Sequence, residues 1–228
     1  MPKTYEKLEL DTLLNICLVP DEEAPPTLSF RRAAIKLSRR LNQRAPSYYE
    51  LSEIPGNDMR LSLPHCTLMH VRVAQETVRE VQYQLTHLVG TTFPIETRGI
   101  ASLSCVPKFD SAALLSRGKS HGMNRDELHH MDWIEVRAKT PLLRLQERIV
   151  NSLAGVVPPE DFLTRRGDDY MPHIAVRIDH DTSEMARRIL VVDRSDIPQN
   201  QVVACRVAIG NCGPQGQVGR LLKPVLAA

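Results

Sequence analysis

Two short stretches of this chain set a histidine in the same surroundings. LPHCTL at 63–68 returns as MPHIAV at 171–176, 108 residues later. In both, the histidine follows a proline and enters an apolar run, the pattern of a buried strand. Side chains two apart on a strand share a face, so His65 stands beside Thr67, a proton carrier beside a hydroxyl donor. The same alternation sends His70 to the opposite face with Cys66 and Leu68. An imidazole titrates near pH ~6.5, so one of two facing histidines can take a proton while the other gives one. Phosphoryl transfer between oxygens needs that pairing, a base for the attacking oxygen and an acid for the leaving one. A hydroxyl two residues beyond each histidine would hold the non-bridging oxygens.

The repeat continues at the same offset, with Glu76 matching Glu184, Arg79 matching Arg187 and Val81 matching Ile189. Each copy is therefore a proline-led strand, a short loop and a helix. Two such units can pack about a pseudo-two-fold axis, which would bring the two histidines face to face across a groove.

The elements that must position them follow from periodicity. Residues 13–19 read as a first strand. Phe30, Ala34, Leu37 and Leu41 make the apolar stripe of a helix over 27–44, with Thr27 as its N-cap. Its other side carries Arg32, Lys36, Arg39, Arg40 and Gln43, a solvated face or a track for a phosphate backbone. The first histidine strand spans 62–73. A helix over 75–89 uses Val78, Val81, Leu85 and Leu88 or Val89, and strands are expected at 92–97, 99–106 and 132–138. Leu142, Leu145, Ile149 and Leu153 mark a helix over 141–154. The second histidine strand covers 173–178, then come a short helix at 183–191 and a strand pair at 201–209 and 216–223. No low-complexity linker divides the chain, so one α+β domain over 1–228 with mixed sheets is expected.

The paired motifs resemble the hallmark of the two-histidine (2H) phosphoesterase superfamily, H-x-[T/S]-x, which includes 2′-5′ RNA ligase-like proteins and cyclic nucleotide phosphodiesterases. His65-Cys66-Thr67-Leu68 matches it in full; His173-Ile174-Ala175-Val176 has alanine in place of the hydroxyl. The resemblance implies a bilobal fold, two pseudo-symmetric strand–helix lobes around a central groove. It also implies a metal-independent phosphodiesterase without cofactor, acting on a nucleotide or RNA end such as a 2′,3′-cyclic phosphate or a 2′-5′ linkage. His65 and His173 would be base and acid, and Thr67 would bind the phosphate. Arg177, which alternation puts on the same strand face as His173 and Ala175, either supplies the missing phosphate contact or is a strand-end arginine. Tyr170 either stacks on a base or packs beneath the loop. The alternative in a different class is a non-catalytic nucleotide-binding module on the same fold, turnover having been lost with the hydroxyl at 175.

Composition narrows the remaining classes. The five cysteines are scattered without a CxxC pair, which speaks against a zinc site or a disulfide framework and for free thiols in a reducing compartment. A net charge of +2 neither demands nor excludes nucleic acid. No apolar h-region opens the chain and no run reaches the ~20 apolar residues of a membrane span, so a cytoplasmic monomer away from membranes is expected. ALLSRGKS at 113–120 lacks the first glycine of a P-loop. GNCGPQG at 210–216 reads as a hairpin turn, and HGMNRDELHH, with His121, His129 and His130, as a surface loop.

Overall fold

The computed structural model describes residues 11–21, 25–41, 49, 62–105, 129–137, 139–164, 166–179, 201–213 and 216–223. Seven strands run in the order β1 (Asp11–Pro20), β2 (Cys66–Ala74), β3 (Thr92–Cys105), β4 (His129–Arg137), β5 (His173–Asp179), β6 (Val202–Cys212) and β7 (Val218–Leu221). Three α-helices are described, α1 (Pro25–Leu41), α2 (Val78–Gln84) and α3 (Lys139–Leu153). The sheet order is β1-β2-β5-β4-β3-β6-β7, and β1 also pairs with β6. That last pairing closes six antiparallel strands into a barrel, with β7 appended to β6. The protein is thus α+β, as its patterning indicates, but the strands form one sheet in which every described pairing is antiparallel, not the mixed sheets expected.

The helices lie where their stripes require. Phe30, Ala34 and Leu37 of α1 are buried, while Arg32, Lys36, Arg39 and Arg40 are on its exposed side. Val78 and Val81 of α2, Leu85 and Leu88 just beyond it, and Leu142, Leu145, Ile149 and Leu153 of α3 join the same core as the inward residues of the strands. Four local expectations need correction. Thr27 lies inside α1, which starts at Pro25, and so is not its N-cap. Residues 92–105 form one strand, whose register shifts at Gly99 (φ +140°), a conformation that suits glycine. His129 and His130 belong to β4, paired with Cys105 and Ser104, rather than to a loop. The first histidine strand begins only at Cys66. The expected helix at 183–191, the segment 113–120 and His121 lie outside the described residues.

The ring order carries the sequence repeat into space. Read from β6 through β1 and β2 to β5, β4 and β3, the order is unchanged by exchanging β2 with β5, β1 with β4 and β6 with β3. Where β2 and β5 pair, Cys66 lies opposite Ile174, its own counterpart in the repeat.

Candidate functional site

Both histidines begin from the same local geometry. Proline precedes each, and each ring turns back on the chain: Nδ1 lies 2.7 Å from the carbonyl two residues earlier, Leu63 for His65 and Met171 for His173. A carbonyl only accepts, so Nδ1 carries the proton in both rings and Nε2 is left for other chemistry. The Cys66–Ile174 pairing is antiparallel, which sets Thr67 opposite His173 and His65 opposite Ala175. All four residues then share one face, with the histidines diagonal to each other, ~7–8 Å apart on a regular ladder. Cys66 and Ile174 fill the core side.

Each motif is followed by a bulge at the same place in the repeat. Between β1 and β2 the register runs from Ile16–Met69 to Cys17–Thr67 and passes over Leu68. Between β4 and β5 it runs from Asp132–Arg177 to Trp133–Ala175 and passes over Val176. A buried tyrosine holds the chain before each bulge, Tyr170 donating to the Thr67 carbonyl at 2.8 Å and Tyr49 to that of Ala175. On β2 the bulged carbonyl of Leu68 also accepts from Gln146 of α3 at 2.6 Å.

These bulges overturn two inferences from strict alternation. Leu68 and Met69 are both fully buried, and His70 comes round to the partly exposed side with Thr67. The step from Ala175 to Arg177 is likewise broken, so the alternation that aligned Arg177 with His173 does not hold along β5. The Arg177 side chain lies outside the described residues. Tyr170 is 3% exposed, packed beneath the motif with its hydroxyl engaged, the second of its two expected roles.

Residues that the motifs do not contain complete the site. Asn15 of β1 is fully buried, and its Nδ2 lies 3.1 Å from each of three atoms, His65 Nε2, Thr67 Oγ1 and the Gly216 carbonyl. Because Gly216 O can only accept, the nitrogen of the amide must be the edge that faces them. His65 Nε2 is itself 3.1 Å from Gly216 O. A neutral His65 accepts from Asn15; a protonated one can donate to Gly216. Gly216 sits in the turn between β6 and β7 with φ +79°, where a side chain would be strained. The GNCGPQG turn therefore contributes a carbonyl to the site as well as reversing the chain. Trp133, 6.0 Å from His173 between ring centroids, stands edge-on to it.

Burial sets the charge of these rings. It pushes His65 down to about 4, overriding the Leu63 and Gly216 carbonyls, which favour the charged form; a charge on His173 would lower it further. His70 is pushed to about 4 by burial, then by any charge on His65 or His173. His173, half-buried, is lowered by desolvation, opposed by the Met171 carbonyl. At neutral pH all three are uncharged. The buried thiols are raised, Cys66 to about 11, and are unreactive as nucleophiles.

No protein-family model matches the chain, and no curated protein matches its sequence. No helix among the described residues is long and apolar enough to cross a membrane, and those residues contain no group of three or more His, Cys, Asp or Glu placed to hold a metal ion.

Proposed function

We propose that the protein is a metal-independent two-histidine phosphodiesterase acting on a nucleotide or RNA end, a 2′,3′-cyclic phosphate or a 2′-5′ linkage. On this reading the shared face of β2 and β5 is the floor of a groove between two pseudo-symmetric lobes of a cytoplasmic, monomeric enzyme. The observation that carries it is the pairing of the repeat with itself: Cys66 meets Ile174, so both imidazoles, each oriented by its own Nδ1 bond, come to one face with Thr67.

His65 is the base in this mechanism. Its ring is the more deeply buried, 6% exposed, and is held neutral, with the Nε2 lone pair toward Asn15. Asn15 has two amide hydrogens for three acceptors, so bonding Thr67 and Gly216 frees Nε2 without losing a hydrogen bond. A water attacks phosphorus and gives its proton to His65 Nε2; the Gly216 carbonyl then holds the imidazolium. The bond from phosphorus to the leaving oxygen breaks as His173 protonates that oxygen. Thr67 accepts from Asn15 through Oγ1 and keeps its own hydroxyl hydrogen for the phosphate. The substrate's negative charge offsets the desolvation of His173 and lets it enter the reaction as imidazolium.

A second reading, a nucleotide-binding module without turnover, draws on Ala175, which leaves one of the two hydroxyl positions empty of a donor. A 2′,3′-cyclic mononucleotide and a 2′-5′ dinucleotide separate the two. Turnover in the presence of EDTA, removed in H65A and in H173A, supports the enzyme. Saturable binding of either compound with no product supports the module.

A further inference from the structure

Two buried polar atoms beside the site have no partner among the described residues, Asn15 Oδ1 and His70 Nε2. They belong to residues directly opposite each other across β1 and β2. Opposed side chains on an antiparallel ladder have their Cβ atoms ~4.5–5.5 Å apart. A small rotation of ring or amide therefore joins an N–H to an oxygen, and a buried amide oxygen strongly favours finding such a donor. We propose that His70 Nε2–H donates to Asn15 Oδ1 and that His70 is thereby a positioning residue for His65. For its catalytic consequence this role rests on the two-histidine reading; its geometry does not.

The resulting chain of neutral donors runs one way. His70 donates to Asn15 Oδ1, Asn15 Nδ2 donates to His65 Nε2, and His65 Nδ1 donates to Leu63 O. The last carbonyl can only accept, which fixes every role behind it. The Gly216 carbonyl sets which edge of the Asn15 amide faces His65, and His70 anchors the opposite, Oδ1 end of that amide. Without His70 the amide is held from one end only, its donation to the neutral Nε2 weakens, and the ring is both less firmly aimed and easier to protonate. His70 reaches this position because of the Leu68 bulge, and its ring lies against Gly216, where an added Cβ would be 3.5 Å from Cε1. Its backbone is fixed on the far side by Thr164, which accepts from His70 N at 2.7 Å, and by Leu163 N, which donates to His70 O.

The titratable groups acting on this pair are His65 and His70 on β2 and His173 on β5. β1 presents the Asn15 amide, the β6–β7 turn a carbonyl, and the 161–164 segment the Thr164 hydroxyl and Asp161, which is paired with Arg72 at 2.8 Å.

The test is imidazole NMR on ¹⁵N-histidine-labelled full-length protein. In the parent, the neutral His70 should carry its proton on Nε2 and His65 on Nδ1. H70F should raise the His65 titration by at least half a pH unit, and H70Q, which keeps an amide donor, should leave it near the parent value. The acid limb of the rate profile should follow His65, with kcat about tenfold lower in H70F and KM within twofold. A His70 proton on Nδ1 in the parent overturns the proposal, as does an unmoved His65 titration in H70F. If H70F does not fold, the parent tautomer and the H70Q titration decide. Absence of turnover, or its survival in H65A, would refute the phosphodiesterase reading while leaving the tautomer result intact.

Discussion

Asn15 interrupts the apolar run LLNICLV, and its position beside His65 gives it a sharper test than deletion. Asn15→Asp keeps the size but sets a carboxylate against Nε2, which favours the imidazolium. The His65 titration should rise above its ordinary value of about 6.5. Turnover at pH 7 should fall with the fraction of His65 left neutral, about twofold if it titrates at 7 and about tenfold if at 8, and should recover at higher pH; a pH profile unchanged from the parent would remove His65 from that role. At position 175 the expected direction is reversed. Ala175→Thr supplies the hydroxyl that the second motif lacks and suits a strand. A tenfold gain in kcat/KM, ~1.4 kcal/mol of transition-state stabilisation, is the expected result on a cyclic-phosphate substrate. Thr67→Ala should lose at least as much. The histidine–threonine pairing was legible from two-residue spacing alone. Asn15 and Gly216 were not, since they meet the motif across separations of 50 and 151 residues that no local pattern records.

Among the elements, the bulges are what strand periodicity could not supply. A bulge is defined by the register of two strands, so neither LPHCTLMHV nor MPHIAVRID announces one. Strands, helices and their apolar stripes were readable because each depends on its own residues; the faces of His70 and Arg177 depended on neighbours. Gln146 exposes this dependence. It sits at a core-facing position of α3 among leucines, an odd residue there until its bond to Leu68 O is seen. Gln146→Leu should leave that carbonyl without its donor and cost ~1–3 kcal/mol in urea unfolding. A relaxed bulge would also turn His70, so activity should drop in conditions where the variant is still fully folded. Loss of stability with unchanged kcat would show that the bulge holds without Gln146.

At the scale of the whole molecule, histidines buried in the neutral form couple folding to pH. His65 has its pKa depressed in the folded state to about 4 against about 6.5 unfolded. Between those values the unfolded chain binds the extra proton, so stability is retained above pH ~6.5 and falls as pH drops toward ~4. For His65 alone the full loss is roughly 3 kcal/mol. His70, with the same direction and a similar value, adds to it. Urea midpoints measured from pH 7.5 to 4 should decline most steeply inside that window, and His65→Asn should flatten the curve. A midpoint independent of pH would mean that these rings are hydrated. If the site takes phosphate as proposed, the same linkage predicts proton uptake on binding, with inorganic phosphate held more tightly at pH 6 than at pH 8 after correction for its own ionisation.

The contact of Cys66 with Ile174 also bears on ancestry. A residue that pairs with its own repeat equivalent has the geometry of an isologous interface, in which one surface meets itself across a two-fold. A half-length chain with a single histidine motif would meet a second copy of itself in this register. Its strands corresponding to β3 and β6 would cross into the partner, as the ring order requires. Two identical imidazoles would then stand where His65 and His173 stand now. A fused chain is free of that constraint, and the two copies here differ: the first has threonine at 67 and histidine at 70, while the second has Ala175 and, at the position equivalent to 70, Ile178. A proton donor and acceptor need different surroundings, which a symmetric dimer cannot provide and a fused one can.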